Sequence, residues 1–439
     1  MMAGNYMLER QIKREEFFLF LGDVFFFILA LWLTLVIRFF ALPTTDFFLS
    51  HLAPFSLIFL VWVLIFFTAD LYNRRPALGR TQLANTIINA QLVNSFLAII
   101  FFYFIPYFDI TPKITLFVDL FFSLLLILWW RLRLSHFFYH AQPERYLFLC
   151  AGPEVMELKQ VLAHDGQNDI TIVDQVPAPA DWSRHRISTV VVNPYEAKRL
   201  ELSVRFCQLM FAGIRFVSVH GLYEEVFGRL PVSVIDERWI VEHAALGESS
   251  TYRVVKRLTD LLMGAILLLL TSPFYLIIVP LIKLTDRGPI FYVENRIGRF
   301  GRPFKIRKFR SMTTELALAT RRVTPLGQIL RRTRLDELPQ LLSVIRGEQS
   351  LIGPRPERPE YVKLYEREIP YYHARHLIQP GLSGWAQIYQ ARHPHFAPQA
   401  EATREKLSYD LYYIKNRSFW LDLKISLKTI KTILSRVGL

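Results

Sequence analysis

Four long apolar runs, at Phe17–Phe39, Leu52–Leu71, Ala84–Tyr107 and Ile114–Trp130, fill most of the first third of this chain. Each approaches the ~20 residues a helix needs to cross a hydrocarbon core of ~30 Å. Inside such a core the backbone polar groups have no water to bond, so the runs are constrained to be helices. Asp23, Arg38 and Asn94 interrupt them. Polar residues at these depths face a neighbouring helix or snorkel, and their first reading is structural. Arg10, Lys13 and Arg14 precede the first run, Arg74, Arg75 and Arg80 follow the second, and Arg131 and Arg133 follow the fourth. The intervening loops "ALPTTDFFLS" and "PYFDITPK" hold one lysine between them. The positive-inside rule therefore predicts a four-helix transmembrane bundle with both ends in the cytoplasm.

The rest of the composition fits a membrane protein carrying soluble parts: 52% of the 439 residues are hydrophobic and 21% charged. A formal charge of +14 suits anionic lipid, phosphorylated small molecules or nucleic acid. Two cysteines, Cys150 and Cys207, exclude a disulfide framework or a structural zinc site. The first residues lack a signal peptide's cleavage site, so no cleaved leader is expected.

From about Arg145 to Glu242 short apolar strands alternate with helical text. "RYLFLC", "ITIVDQV", "STVVVN" and "IRFVSV" predict strands, and "PEVMELKQVLAHDG" predicts a helix. The alternation predicts a Rossmann-like parallel α/β domain. Its first turn, "CAGPEV", carries only Gly152 where a dinucleotide fingerprint needs three glycines, so a structural or regulatory role is expected over nucleotide binding.

A fifth apolar stretch, "LLMGAILLLLTSPFYLIIVPLIKL", has Ser272 and Pro273 near its middle. Proline removes a backbone donor and clashes with the preceding turn, which favours a kink or break at Ser272. Arg253, Lys256 and Arg257 lie before the stretch and Lys283 and Arg287 after it. Cations at both ends predict a re-entrant helix over 253–285 that enters the membrane and returns to the cytoplasm.

The densest polar chemistry lies between Gly288 and Gln390. "LDELPQ" sets two adjacent carboxylates, Asp336 and Glu337, before Pro339, and "PQLLSVIRG" continues as a helix to Gly347. Adjacent carboxylates can divide labour, one attacking phosphorus or binding metal while the other completes the coordination. The competing reading is a capping box formed by Thr333 and Asp336, which spacing alone favours. "KIRKFRSM" delivers Lys305, Arg307, Lys308 and Arg310 between apolar residues. That pattern predicts a strand with one basic face, serving either a polyphosphate or the protection of a sheet edge. In "GPRPERPE" three prolines stiffen a loop that holds Arg355 and Arg358. Preorganised arginines are what bidentate phosphate binding requires. The basic runs are interleaved with prolines and carboxylates, which argues against nucleic acid as a partner.

Taken together, "SP", "KFRSM", "TPLG", "LDELPQL", "LIGPRPE", "PGLSGWAQ" and "YDLYYIKNRSFWLDLKI" resemble, in the same order, the bacterial sugar transferases that act as polyprenyl-phosphate glycosyl-1-phosphate transferases. With four spans, an α/β domain and "YEEVFGRLPV", the chain resembles the large polytopic subgroup that includes the undecaprenyl-phosphate galactose and glucose phosphotransferases. The resemblance implies three parts: a bundle over 1–140, an α/β domain over 141–245, and a monotopic α/β catalytic domain over 246–439. It implies transfer of sugar-1-phosphate from a UDP-sugar to undecaprenyl phosphate, with release of UMP, on the cytoplasmic face of the bacterial inner membrane. In such enzymes the aspartate of the "LDE" pair is the nucleophile and the glutamate helps bind Mg2+. This places Asp336 and Glu337 at the catalytic and metal site, and Lys308, Arg355 and Asp410 at the phosphate and substrate, where the basic strand and the stiff loop also put Arg310 and Arg358. A homodimer is also implied. Glu294 stands where relatives often carry glutamine.

The final segment, "SFWLDLKISLKTIKTILSRV", spaces Trp420, Leu423, Leu427, Ile430 and Leu434 at helical intervals, with Lys424, Lys428, Lys431 and Arg436 on other faces. Two placements suit it: the headgroup layer of an anionic bilayer, or packing against the catalytic domain.

Overall fold

The chain divides into two units, Met1–Val226 and Phe227–Leu439. A computed structural model describes residues 2–435 apart from 70, 73–79, 105–112, 139–143, 165–169, 174–181, 183–184, 196–208, 212, 246–249, 287, 314–321 and 391–399.

In the first unit the apolar runs form helices α1 (Met2–Phe39), α2 (Thr45–Thr68), α3 (Arg80–Phe104) and α4 (Lys113–Phe138). They share one apolar cluster, in which Phe27, Phe55, Trp62, Phe66 and Ile127 are fully covered. Phe27 stacks on Phe59 and meets Trp62 edge-on. Each of the four contains a segment long and apolar enough to cross a membrane. Arg131, a flanking charge by sequence, is buried on Asp23: its Nε donates to Oδ1 at 3.0 Å, and its Nη1 donates to the Leu71 carbonyl at 2.7 Å. The Tyr72 ring lies beneath its guanidinium. Asp23 is thus a helix-pairing residue, in keeping with its structural reading.

The α/β part follows the predicted alternation. Strands β1 (Glu144–Phe148), β2 (Ile170–Val173), β3 (Thr189–Val192) and β4 (Arg215–Ser218) form a parallel sheet in the order β2-β1-β3-β4. Helix α5 (Pro153–His164) connects β1 toward β2, and α6 (Val219–Phe227) follows β4. Leu147, Val190 and Val192 are covered on the sheet, with Trp182 and Ile214 beside them.

In the second unit short helical segments at Val232–Val234, Glu237–Ile240 and Val241–Ala245 precede α7 (Ser250–Asp286), 37 residues long. The expected break is not an interruption: the helix runs through Ser272 and Pro273. Pro273 cannot donate to the Leu269 carbonyl four residues back. The Ser272 hydroxyl donates to that carbonyl instead, at 2.7 Å, and Thr271 does the same for Leu267 at 2.6 Å. The freed acceptor is satisfied locally, so the helix continues across its proline. This is the fifth helix of membrane-crossing length and apolarity, and far less of it is covered by protein than of the other four.

Beyond α7 come the antiparallel hairpin β5 (Phe291–Ile297) and β6 (Pro303–Phe309), then α8 (Pro325–Arg332), a 3-10 segment (Leu335–Gln340) and α9 (Leu341–Arg346). A short parallel pair, β7 (Ser350–Ile352) and β8 (Gly381–Ser383), flanks α10 (Pro359–Glu368). Close approach explains two of its glycines: a Cβ on Gly381 would lie 2.1 Å from the Gly353 nitrogen, and one on Gly353 would lie 2.6 Å from the Gln379 carbonyl oxygen. Helices α11 (Trp385–Tyr389), α12 (Ala400–Asn416) and α13 (Phe419–Ser435) complete the unit.

In α13 two of the three lysines turn inward, while Lys431 stays exposed. Lys424 and Lys428 are buried over Trp385, and Lys428 also sits on Tyr389. Trp420 and Ile430 face outward. The aromatic floor accepts the ammonium groups through its π faces, and Leu423 and Leu427 of the apolar stripe are half-buried.

Candidate active site

The acidic pair sits in the 3-10 segment Leu335–Gln340, which follows α8 through Arg334 in the left-handed conformation (φ 58°). The predicted capping box does not form. Thr333 ends α8, and its hydroxyl donates back to the carbonyls of Ile329 and Leu330, at 2.8 and 3.3 Å. With the threonine engaged behind it, the dyad is released from a capping duty. The helix predicted after Pro339 is present as α9 and stops at Gly347, whose φ is +81°.

Strand β6 delivers the first cation. The period-two alternation of a strand puts Lys305 and Arg307 on one face and Lys308 on the other with the buried Ile306, so there is no single basic face. Lys308 is thereby aimed at the dyad, and its Nζ donates to Glu337 Oε1 at 2.6 Å. The stiff loop after β7 delivers the second: Arg355 Nη2 donates to the same oxygen at 2.8 Å. Arg334 Nη1 lies 3.8 Å from Glu337 Oε2. Asp336, equally buried, accepts no hydrogen bond among the described residues.

The electrostatics separate the two carboxylates. Burial alone would raise Glu337, but Arg355 and Lys308 outweigh it and hold the group well below the usual carboxylate range. Burial and the neighbouring Glu337 charge push Asp336 up to about 6, against the pull of Lys308, Arg331 and Arg355. Burial lowers the Lys308 amine, and Glu337 draws it part of the way back. One carboxylate is therefore clamped and held in its ionised form, while its neighbour is unclamped and pushed up to about 6.

The other predicted residues go elsewhere. Arg310 is buried beside the end of α7, and its Nη2 lies 3.4 Å from the Ile282 carbonyl oxygen. Arg358 pairs with Glu294, which also accepts from Arg296 Nη2 at 2.6 Å. A carboxylate at 294 is thus suited to holding two arginines. Asp410 is fully buried in α12 and pairs with Arg375 at 2.7 Å. Burial raises its carboxyl, opposed by Arg375 and Lys406.

Sequence reasoning missed Arg375, the hub of a buried network. It donates to the Arg355 carbonyl at 2.9 Å and to the Tyr372 hydroxyl at 2.6 Å. Glu357, next to it, pairs with Lys406, and its carbonyl accepts from the Ile297 N–H at 2.9 Å. These contacts fix the loop that carries Arg355. The only local signal was the glutamate inside "GPRPERPE". A shallow depression lies beside this loop, lined by Pro354, Arg355, Pro356, Arg375 and His376 among others. Burial and Arg375 lower His376 to about 3, which makes it a neutral wall.

No group of three or more metal-ligating side chains occurs among the described residues. The dyad nevertheless suits a cation that keeps most of its waters and uses one or two carboxylates plus substrate phosphate, as Mg2+ does. Asp336 has both oxygens unengaged, and Lys308 and Arg355 occupy only one oxygen of Glu337.

The structure thus sets an acidic dyad, held by a strand lysine and a loop arginine, in the same unit as a long apolar helix. The family model for bacterial sugar transferases matches residues 251–436, the stretch that holds every one of these groups. The chain is 40% identical over 235 residues to the UDP-N-acetylgalactosamine-undecaprenyl-phosphate N-acetylgalactosaminephosphotransferase of Aeromonas hydrophila, a match covering 52% of this chain and 54% of that protein. It is 40% identical over 188 residues to the UDP-glucose:undecaprenyl-phosphate glucose-1-phosphate transferase of Caulobacter vibrioides, covering 41% of this chain and 70% of the relative. It is 39% identical over 195 residues to the exopolysaccharide production protein PSS of Rhizobium leguminosarum, covering 42% of this chain and 96% of the relative. The chain belongs to the bacterial sugar transferase family. Its match spans about half of the Aeromonas protein, and 39% and 40% of two other relatives.

Proposed function

We propose that this protein transfers sugar-1-phosphate from a UDP-sugar to undecaprenyl phosphate, releasing UMP, through a covalent intermediate on Asp336. The observation that carries the proposal is the division between the two carboxylates: Glu337 clamped by Lys308 and Arg355, Asp336 unclamped with its carboxyl near 6.

In the first step an ionised Asp336 oxygen attacks the β-phosphorus of the donor. A new P–O bond forms, the bond from that phosphorus to the bridging oxygen breaks, and UMP leaves with the electron pair. In the second step an oxygen of the lipid phosphate attacks the same phosphorus. The acyl-phosphate P–O bond breaks, Asp336 returns as carboxylate, and a lipid-linked diphosphosugar is formed. Negative charge builds on the equatorial phosphoryl oxygens in both steps, so the needed catalyst is fixed positive charge. Lys308 and Arg355 supply it, held in place by Glu337. Mg2+, bound by Asp336 and the second oxygen of Glu337, would neutralise the donor diphosphate.

The site works, on this reading, at the cytoplasmic face of the inner membrane, with α1–α4 as a transmembrane bundle and α7 as a re-entrant helix. The same unit grips α7 at both ends, which supports the re-entrant topology. Near its start, Lys256 pairs with Asp422 at 2.8 Å, Arg257 donates to the Val344 and Ile345 carbonyls, and Asp260 accepts from the Leu351 N–H. Toward its end, Ile278 and Ile282 pack with Phe309 and Leu330. A helix of about 55 Å standing across the bilayer could not present both ends to one water-soluble unit. Between the grips, Leu262, Leu269 and Leu270 are exposed and suited to acyl chains.

The test is UMP release from a panel of UDP-sugars by the full chain in membranes with undecaprenyl phosphate and Mg2+. Release by wild type and none by Asp336→Asn is expected; equal release by both refutes the proposal. Topology is tested separately by labelling Arg302→Cys from outside intact cells. No labelling is expected, and strong labelling refutes the re-entrant arrangement.

A further inference from the structure

Far from the dyad, the first unit holds a second set of buried polar groups that the proposed reaction does not use. Asp119 of α4 is fully buried, and among the described residues neither of its carboxylate oxygens has a hydrogen-bond partner. Thr34 Oγ1 of α1, Asn94 Oδ1 of α3 and Thr115 Oγ1 of α4 are likewise buried and unpartnered.

Helix register brings these groups to about one level of the bundle. The Asp23–Arg131 pair fixes the antiparallel register of α1 on α4. Eleven residues beyond Asp23 and twelve before Arg131, Thr34 and Asp119 come to the same level. The Gln91–Ser123 hydrogen bond, 2.7 Å, fixes α3 on α4. Three residues beyond Gln91 and four before Ser123, Asn94 joins that level, and Thr115 lies one turn away on the same face of α4 as Asp119.

The asparagine is oriented as well. Its Nδ2 donates to Gln91 Oε1 at 3.0 Å, while Gln91 Nε2 donates to Ser123. With the amide nitrogen occupied, the oxygen is the end of Asn94 left without a partner. That level and the adjacent turn of α4 therefore hold five unpartnered oxygens among the described residues: two from one carboxylate, one amide oxygen and two hydroxyls. The nearest described pairing of opposite charges in the bundle, Asp23 with Arg131, lies three turns along α4 and is complete in itself.

An unpaired carboxylate in an apolar helical interior is strongly disfavoured unless a cation accompanies it. All-oxygen donors with a single negative charge match a hard monovalent cation, as divalent ions draw more carboxylates and transition metals draw nitrogen or sulfur. We propose that Asp119, Asn94, Thr34 and Thr115 form a binding site for a small monovalent cation, sodium, inside the α1–α4 assembly. It ties three helices together at one level and is independent of the catalytic reading.

The test is thermal unfolding of the purified full chain in detergent, titrated with NaCl against choline chloride at constant ionic strength. Sodium is expected to raise the unfolding temperature of wild type by about 2–4 °C over choline. That response is expected to vanish in Asp119→Asn, which keeps the shape of the side chain, and to weaken in Thr34→Val. Should Asp119→Asn fail to fold, the Thr34→Val titration decides in the same way. Equal responses to sodium and choline in wild type, as expected of a carboxyl that simply carries a proton, would overturn the site. So would a sodium response that both variants retain in full.

Discussion

Replacing Asp336 by asparagine should destroy turnover and at the same time make the protein more stable. The carboxyl is raised from an ordinary 3.8 to about 6. At about 1.4 kcal/mol per pH unit, that gap corresponds to about 3 kcal/mol of unfavourable ionisation in the folded state. The sign follows from proton linkage. Between pH ~4 and ~6 the folded chain binds more protons at this position than the unfolded chain, so stability falls as pH rises through that window. Above it the full penalty is present, and below it the penalty is gone. The neutral amide is near in shape and removes the penalty. Asp336→Asn is therefore expected to melt about 6–12 °C above wild type at pH 7.5, with the difference collapsing at pH 4. Differential scanning fluorimetry at the two pH values, with UMP release measured on the same samples, reads both effects. A variant no more stable than wild type at pH 7.5, or a difference independent of pH, refutes the reasoning.

Glu337→Gln should act in the opposite direction: it leaves the half-buried Lys308 and Arg355 without their shared counter-charge, which costs about 1–3 kcal/mol. Adding Lys308→Met should recover part of that loss in a chemical denaturation series. Arg375→Met should cost more, about 3–5 kcal/mol, since Asp410 loses its partner in a fully buried pair. Arg375→Lys should remain impaired in turnover, because a single ammonium cannot serve Asp410, Tyr372 and the Arg355 carbonyl at once. Activity should rise as pH passes through about 6, where Asp336 ionises, and a pH–rate profile flat from 5 to 7 would count against Asp336 as the attacking group.

Local patterns in the sequence were legible where a fold is decided locally. The apolar runs specified α1–α4, and the alternation of β-branched strands with "PEVMELKQVLAH" specified the parallel sheet. Spacing misled where a side chain had two local options. Thr333 was four residues from a carbonyl behind it and three from Asp336 ahead, and it took the carbonyl. Ser272 performed a repair that the proline alone does not reveal. The convergence of Lys308, Glu337 and Arg355 depends on β6, the 3-10 segment and the loop after β7 meeting in space, so no periodicity could display it. Arg375 was invisible for the same reason, its partners being spread from Arg355 to Asp410. The two placements of α13 stayed open because a helical wheel shows which residues share a face but not that Trp385 and Tyr389 wait to receive Lys424 and Lys428.

The central claim is that Asp336 carries the sugar phosphate covalently. Brief incubation of the full chain with a UDP-sugar radiolabelled in the sugar, without lipid acceptor, tests it most directly. Wild type should retain label through denaturation and lose it to hydroxylamine or to added undecaprenyl phosphate, as an acyl phosphate does, while Asp336→Asn should retain none. Undiminished turnover in Asp336→Asn, or label bound equally by both proteins, would contradict the account.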